Sequence, residues 1–236
     1  MSSAIQTADL DWQCIDGIDV PVCKQFGHAY FSSNHALLEA RHVFLNGNNL
    51  STRLAKLADF EYFCIAEIGF GTGLNALALW QMWQQLRPNN HSHLHLISVE
   101  KYLLSKADFI RAATVWPELQ PLAQQLLQQY PVPIAGCHRL DFPAERFSID
   151  LWLGDASEVF PVIAKTKAVD AWFLNSFSSS QHPDIWQKNV LSQIIRLSDD
   201  GTTFASCSVT NILRQGLSEH GISISCPAGF NHKAPM

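Results

Sequence analysis

The ten residues AEIGFGTGLN, Ala66 to Asn75, constrain the fold more than any other stretch of this chain. An apolar run, Tyr62–Gly69, leads into them and reads as a buried strand. A helical pattern, Leu74–Gln85, leads out, with Leu74, Leu77, Ala78 and Trp80 to Met82 supplying its apolar face. Between the two, Gly69, Gly71 and Gly73 strip Cβ atoms from a sharp turn, so the backbone can reverse and a ligand can approach closely. A strand, a bare turn and a helix in that order belong at the carboxyl edge of an open α/β sheet.

The rest of the chain agrees with such a sheet. Leu94–Val99 reads as a strand, Ser105–Trp116 and Glu118–Tyr130 as helices with Ser105 and Pro117 as start signals. Gly136–Phe142 and Phe147–Leu153 alternate in polarity and read as a hairpin around Pro143-Ala144-Glu145. Ala156–Ala164 reads as a short helix, and Val169–Leu174 as a strand covered on both faces. A helix over Asp184–Leu197, a strand over Thr202–Ser208, a helix over Asn211–His220 closed by Gly221, and a strand over Ile222–Cys226 complete the pattern. The expected fold class is α/β, a doubly wound and mostly parallel sheet. Residues 1–60 differ: short apolar pieces broken by Asp16-Gly17 and Asn46-Gly47-Asn48-Asn49 imply a small hairpin and a helix near Ala36–Leu45. They are expected to form an appendage packed on a core of residues 61–236.

Composition excludes some classes. Hydrophobic residues make up 47% of the 236 and charged residues 16%, which fits a packed globular chain and not a disordered one. A net charge of −5 argues against a broad basic surface for nucleic acid, though not against a local one. No apolar run reaches membrane-span length and the amino terminus lacks a basic-then-apolar signal, so a cytoplasmic location is expected. The six cysteines form no C-x-x-C pair and read as reduced, mostly buried thiols. His91-Ser-His93-Leu-His95 lacks a partner cluster, so it reads as solvated loop and strand edge rather than a metal site.

Spacing discriminates between ligands. A dinucleotide turn wants G-x-G-x-x-G, with its third glycine where Leu74 stands. Here the pattern is Glu67-x-Gly69-x-Gly71-x-Gly73. An acid at that point repels a pyrophosphate but suits a cation. S-adenosylmethionine (SAM) carries an ammonium and a sulfonium and no phosphate, so it is favoured over nicotinamide or flavin; a glycine turn with no ligand is the bland alternative. Glu100 ends the next strand and can accept from both ribose hydroxyls, or stand as a surface acid. Asp155 ends another and can accept from an adenine amine, or cap a helix. Phe70 and Asn75 in the turn, Lys101 beside Glu100 and Ala156 beside Asp155 complete the expected cofactor set.

These motifs, in this order, resemble the methyltransferase domain of the MnmC family of tRNA 5-methylaminomethyl-2-thiouridine biosynthesis proteins. The resemblance rests on HAYFSSNHALLEARHVFLNGNNL, AEIGFGTGLN, HLISVEK, WPEL, GCHRL, LWLGDASE, VDAWFLNSF, HPDIW and RQGLSEHG. It implies a Rossmann-like, class I SAM-dependent methyltransferase fold and methylation of the exocyclic amine of 5-aminomethyl-2-thiouridine at the tRNA wobble position. It also implies that Glu67, Gly69, Gly71 and Gly73 cradle the methionine part of SAM, that Glu100 holds its ribose and that Asp155 lies near adenine. A flavin-dependent oxidoreductase domain that follows in many family members is not part of these 236 residues.

The chain departs from the family at two places. Where the family reads Phe-Leu-Asp-Gly-Phe-Ala-Pro, this chain reads Phe173-Leu174-Asn175-Ser176-Phe177-Ser178-Ser179. Asn175 can accept a hydrogen bond from an amine and aim its lone pair, but it cannot take a proton; as a plain turn residue it would also be unremarked. At the end, Gly229-Phe230-Asn231-His232-Lys233-Ala234-Pro235-Met236 has lost most of the family's positive charge, which weakens RNA binding. The expectation is therefore a SAM-binding chain with Asn175 at the reacting amine, Phe177 as a base-stacking contact, and slowed turnover. The alternative is a degenerate member that binds SAM or tRNA with little or no turnover.

Overall fold

The computed structural model describes residues 4–31, 35–165, 168–175 and 187–225. Six strands form the central sheet: β4 (Tyr62–Ile68), β5 (His93–Glu100), β6 (Gly136–Phe142), β7 (Phe147–Leu153), β8 (Val169–Leu174) and β9 (Ser198–Ser206). Their order is β6-β7-β5-β4-β8-β9, and every pairing is parallel except β6 with β7. The chain runs from β4 outward to β5 and later returns to lay β8 on the other side of β4. A crevice opens beyond the strand ends at such a reversal, and ligands of open α/β sheets bind there.

Period-two alternation sorts each strand between two cores. Phe63 and Ile65 of β4, Leu94 and Leu96 of β5, and Ala171 and Phe173 of β8 enter a large cluster with Trp80 and Trp83 of α3 (Leu74–Leu86). Cys64, Ala66 and Ile68, with Val99, Trp172 and Leu174, face a smaller cluster with Val190, Leu191 and Ile194 of α7 (Lys188–Leu197). Glu67, Ser98 and Glu100 share the parity of the first set, so three polar side chains end the apolar face toward α3 and α4 (Lys106–Ala113).

The amino-terminal segment is a three-stranded antiparallel sheet, β1 (Leu10–Ile15), β2 (Ile18–Cys23) and β3 (His28–Ala29), followed by α1 (Ala36–Ala40) and α2 (Leu50–Leu54). The helix expected through Leu45 changes pitch after Ala40 and runs as a π-helical stretch over Arg41–Asn46. This segment shares the large core through Val20, Phe31, Leu37, Phe44, Leu50 and Leu54. Trp12 donates to Asp108 of α4 at 3.0 Å and lies under the Arg111 guanidinium, 4.2 Å from its ring centre. Asn48 is fully buried and donates to the carbonyls of Phe44 (2.9 Å) and Trp172 (3.2 Å), tying the segment to β8.

Several boundaries differ from the sequence reading. The Ala156–Ala164 helix shortens to α6 (Ala156–Val159) and a 3₁₀ turn over Phe160–Val162, because Pro161 has no N–H and its ring crowds the preceding turn. β9 starts at Ser198, earlier than Thr202. Residues 222–225, after α8 (Asn211–Glu219), form no strand; Ile222 and Ile224 pack by side chain against the smaller cluster instead. Cys226 and the expected helix start at Asp184 lie outside the described residues. The histidine run is not a strand edge: His93 and His95 sit on the interior strand β5, and both rings meet the Ser148 hydroxyl, at 2.8 and 2.9 Å. Of the cysteines, Cys23 and Cys64 are buried, but Cys14 and Cys137 are exposed because each falls on an outward strand position.

Replacing Asn48 with alanine removes a donor from two main-chain carbonyls, and this outweighs the loss of its own buried, unpartnered Oδ1, because a buried acceptor that loses its donor costs of order 1–3 kcal/mol. Urea unfolding of Asn48→Ala is expected to show a loss of about 2–3 kcal/mol; a loss within error would show that this tether does not hold the segment to the sheet.

Candidate active site

The glycine bend follows β4 directly. Gly69, Gly71 and Gly73 all have positive φ (87°, 54° and 72°), a region in which a Cβ is costly. Their surroundings differ. A Cβ on Gly73 would stand 2.9 Å from the Phe109 ring and 3.1 Å from that of Phe70, so this glycine permits close packing of the turn. A Cβ on Gly71 would meet Tyr30 at 3.4 Å, whereas one on Gly69 would meet nothing within 4 Å. Gly69 therefore opens on free space.

That space is a cavity of about 330 Å³, within the range that small-ligand sites occupy. Its floor is Ile68, Gly69, Phe70, Gly71, Thr72, Leu74 and Asn75; Asn175 and Cys207 close it from the ends of β8 and β9. The opposite wall comes from the amino-terminal segment: His28, Ala29, Tyr30, Phe31, Ala36, Glu39, Ala40 and Phe44. The sequence reading gave none of these wall residues a site role. Their only signal was the i, i+3, i+4 spacing of Ala36, Glu39 and Ala40, which puts two small residues and one acid on a single helical face. A larger cleft, about 950 Å³, runs along β9 and α8 but adjoins residues outside the described set and lies away from the Gly69–Gly73 bend.

Behind the bend lie two buried carboxyls. Glu67 is fully buried; its Oε1 accepts from the Ser98 hydroxyl at 2.7 Å and its Oε2 faces the Asn75 amide at 3.5 Å. Ser98 is its register partner on β5. Burial pushes the Glu67 carboxyl up to about 8, against the pull of the Ser98 and Asn75 hydrogen bonds, and nearby Glu100 pushes the same way. Glu67 does not itself line the cavity; it reaches it through Asn75, which does. Glu100 accepts from the backbone N–H of Gly71 at 2.8 Å and of Tyr102 at 2.7 Å, pinning the bend to the end of β5. Burial raises its pKa too, with the backbone donors opposing. The backbone N–H groups of Lys101 and Phe70 also point at this carboxylate.

The remaining expected residues fall into two groups. Asp155 caps α6 by accepting from Ser157 N at 2.9 Å and pairs with Lys101 Nζ at 2.9 Å. Burial alone would raise its pKa, but these partners hold it below the ordinary carboxylate value. Asp155, Lys101 and Ala156 thus sit together beyond β5 and β7, outside the cavity lining. Asn175 does line the cavity, and the Cys207 thiol lies 3.9 Å from its Oδ1. Phe177 lies outside the described residues. Among the described residues no three His, Cys, Asp or Glu side chains gather as a metal set.

A family model described as "S-adenosyl-L-methionine-dependent methyltransferase" matches residues 117–236. The chain belongs to the SAM-dependent methyltransferases. This methyltransferase is 66% identical, over all 236 of its residues, to the tRNA 5-methylaminomethyl-2-thiouridine biosynthesis bifunctional protein MnmC of Acinetobacter baylyi. It is 43% identical over 247 aligned residues to the protein of the same name from Psychrobacter cryohalolentis. It spans 38% and 35% of the lengths of these two relatives. Among solved structures, MnmC2 from Aquifex aeolicus superposes with a TM-score of 0.75 at 21% identity, covering 93% of this methyltransferase and 66% of that chain, a likeness of fold. The Rossmann-like class I fold expected from the motifs is thus the fold of the methyltransferase, and its cofactor is SAM.

The residues present fit that cofactor. Gly69 leaves room where a side chain would stand, and two buried carboxyls put negative charge, or its potential, behind a cavity meant for a cation. In the folded chain the raised pKa keeps Glu67 protonated near neutrality, so stability is full below the ordinary carboxylate value and is lost as pH rises through about 8. Glu67→Gln removes that titration. Its melting temperature without ligand is expected to match the parent near pH 5 and to exceed it increasingly up to pH 9. A difference independent of pH would show that Glu67 is ionised throughout.

Proposed function

We propose that this chain transfers the methyl group of SAM to the exocyclic amine of 5-aminomethyl-2-thiouridine at the wobble position of tRNA. One observation carries the proposal. The glycine-lined cavity is closed by Asn175 in a chain 66% identical to a protein whose name describes biosynthesis of the methylated product. The tRNA substrate, a flavin-dependent oxidoreductase acting beside this unit, and a cytoplasmic setting belong to the same proposal. Among the described residues no helix is long and apolar enough to cross a membrane.

In this reading the Gly69–Gly73 bend, with Phe70, Asn75 and Glu67 behind it, holds the methionine end of SAM. Glu100 takes the ribose hydroxyls at the end of β5, and Asp155 with Lys101 and Ala156 borders the adenine. SAM supplies a methyl group on a sulfonium, open to in-line attack by a neutral amine. Asn175 accepts a hydrogen bond from that amine through Oδ1 and turns the nitrogen lone pair toward the methyl group, which is a gain in orientation. Phe177 is the proposed stacking partner for the base, because a base carrying a reacting amine must leave its stack. The alternative, a chain that binds SAM or tRNA without turnover, differs in one readout.

Incubating the chain with SAM and tRNA bearing 5-aminomethyl-2-thiouridine is expected to yield the methylamino product by mass-spectrometric nucleoside analysis. Asn175→Ala is expected to lower kcat about 10- to 100-fold with SAM affinity unchanged. SAM binding without product would support the non-catalytic alternative, and an unchanged kcat in Asn175→Ala would remove the orienting role.

A further inference from the structure

An amine substrate poses a proton problem that Asn175 cannot solve. An alkylammonium like that of lysine titrates near 10.4, so at pH 7 almost every substrate nitrogen lacks a lone pair. An amide side chain does not accept a proton in this range. Glu67 and Glu100 are engaged beneath the bend, and neither lines the cavity. Of the groups that do, Tyr30 stays protonated because burial holds its pKa far above the ordinary value, and His28 has no negative charge with which to attract an ammonium.

One carboxylate does line the cavity. Glu39 stands on α1 with Ala36 and Ala40, and all three line the cavity. The helix is fixed against the methyl-transfer side of the sheet. Phe44, on the same wall, packs at a tilt against Phe173 with ring centres 5.3 Å apart, two residues before Asn175. Asn48 adds its hydrogen bond to the Trp172 carbonyl. Glu39 is half-buried, in contact with both the cavity and the surface, so a proton taken there has a route to water.

Resting on the tRNA-amine reading above, we propose that Glu39 is the proton acceptor of this site, recognising the substrate's ammonium and removing its proton. An N–H bond of the ammonium breaks, its electron pair stays on nitrogen, and the proton forms an O–H bond on the Glu39 carboxylate. The carboxylic acid then returns that proton to water. Asn175 aims the resulting lone pair while Glu39 makes it, so the acid that the family carries at the end of β8 is supplied from across the cavity.

The test compares the full chain with Glu39→Gln and with Glu39→Gln/Asn175→Asp, each loaded with S-adenosylhomocysteine for binding or SAM for turnover. The binding probe is a tRNA anticodon stem-loop with 5-aminomethyl-2-thiouridine at the wobble position, set against the same stem-loop with plain uridine at fixed salt. The native chain is expected to prefer the amine about tenfold. Glu39→Gln is expected to erase that preference while leaving the uridine stem-loop and SAM affinity unaltered. In turnover, Glu39→Gln is expected to fall about 10²-fold at pH 7 and to recover as pH rises toward the amine's own pKa. Adding Asn175→Asp should restore the rate at pH 7. Retention of the amine preference and of the pH 7 rate in Glu39→Gln would overturn the assignment, as would a loss equal at every pH. A native chain that transfers no methyl would refute the functional reading alone, since the amine preference and its loss in Glu39→Gln still decide the role of Glu39.

Discussion

A carboxyl group with no water around it sits beneath the turn on which this site is built. Glu67 is fully buried, held by the Ser98 hydroxyl across the β4–β5 register and faced by Asn75 from the first turn of α3. Burying an ionised carboxylate without a partnered cation is costly, and the group answers by keeping its proton. Glu100, one strand over, resolves the same cost differently, by accepting two backbone N–H groups that fix the glycine bend. The two acids make the bend rigid and leave a latent negative charge under it. A cationic ligand fits that arrangement and a pyrophosphate does not.

The central sheet was readable because its strands are buried on both faces or alternate cleanly, and because Gly69, Gly71 and Gly73 mark the turn at a spacing that separates ligand classes. Ser105 capped α4 as its position implied, accepting from Asp108 N at 3.1 Å. What failed to show were consequences of tertiary contact. Pro161 shortens α6 by local sterics that a helical pattern masks. Ile222 and Ile224 look like a strand in sequence, yet their burial is satisfied by side-chain packing without a ladder. His95 looked solvated because it alternates with Leu94 and Leu96 as an outward-facing position would, while β5 lies in the interior of the sheet and buries it against Ser148 and Asp150.

The site was legible on one side only. Its floor is contiguous in sequence, from Ile68 to Asn75, and a contiguous floor writes a motif. Its wall is assembled from β3 and α1, far away in sequence and joined to the sheet by Phe44 on Phe173 and by Asn48 on the Trp172 carbonyl. No spacing rule reaches between Glu39 and Asn175. The amino-terminal segment, which reads as an appendage, completes the large core and half of the cavity.

Proton linkage on cofactor binding tests the central claim most directly. With burial pushing Glu67 up to about 8, the carboxyl is mainly protonated at pH 7. In the proposed binding mode the SAM ammonium and sulfonium lie over the bend, which would favour the ionised form and expel that proton. Calorimetric titration of the chain with SAM at pH 7, in two buffers of different ionisation enthalpy, is expected to show release of close to one proton per SAM bound, and none in Glu67→Gln. An observed enthalpy that does not depend on the buffer would contradict the account, because the charge of the ligand would then not reach the carboxyl beneath the glycines.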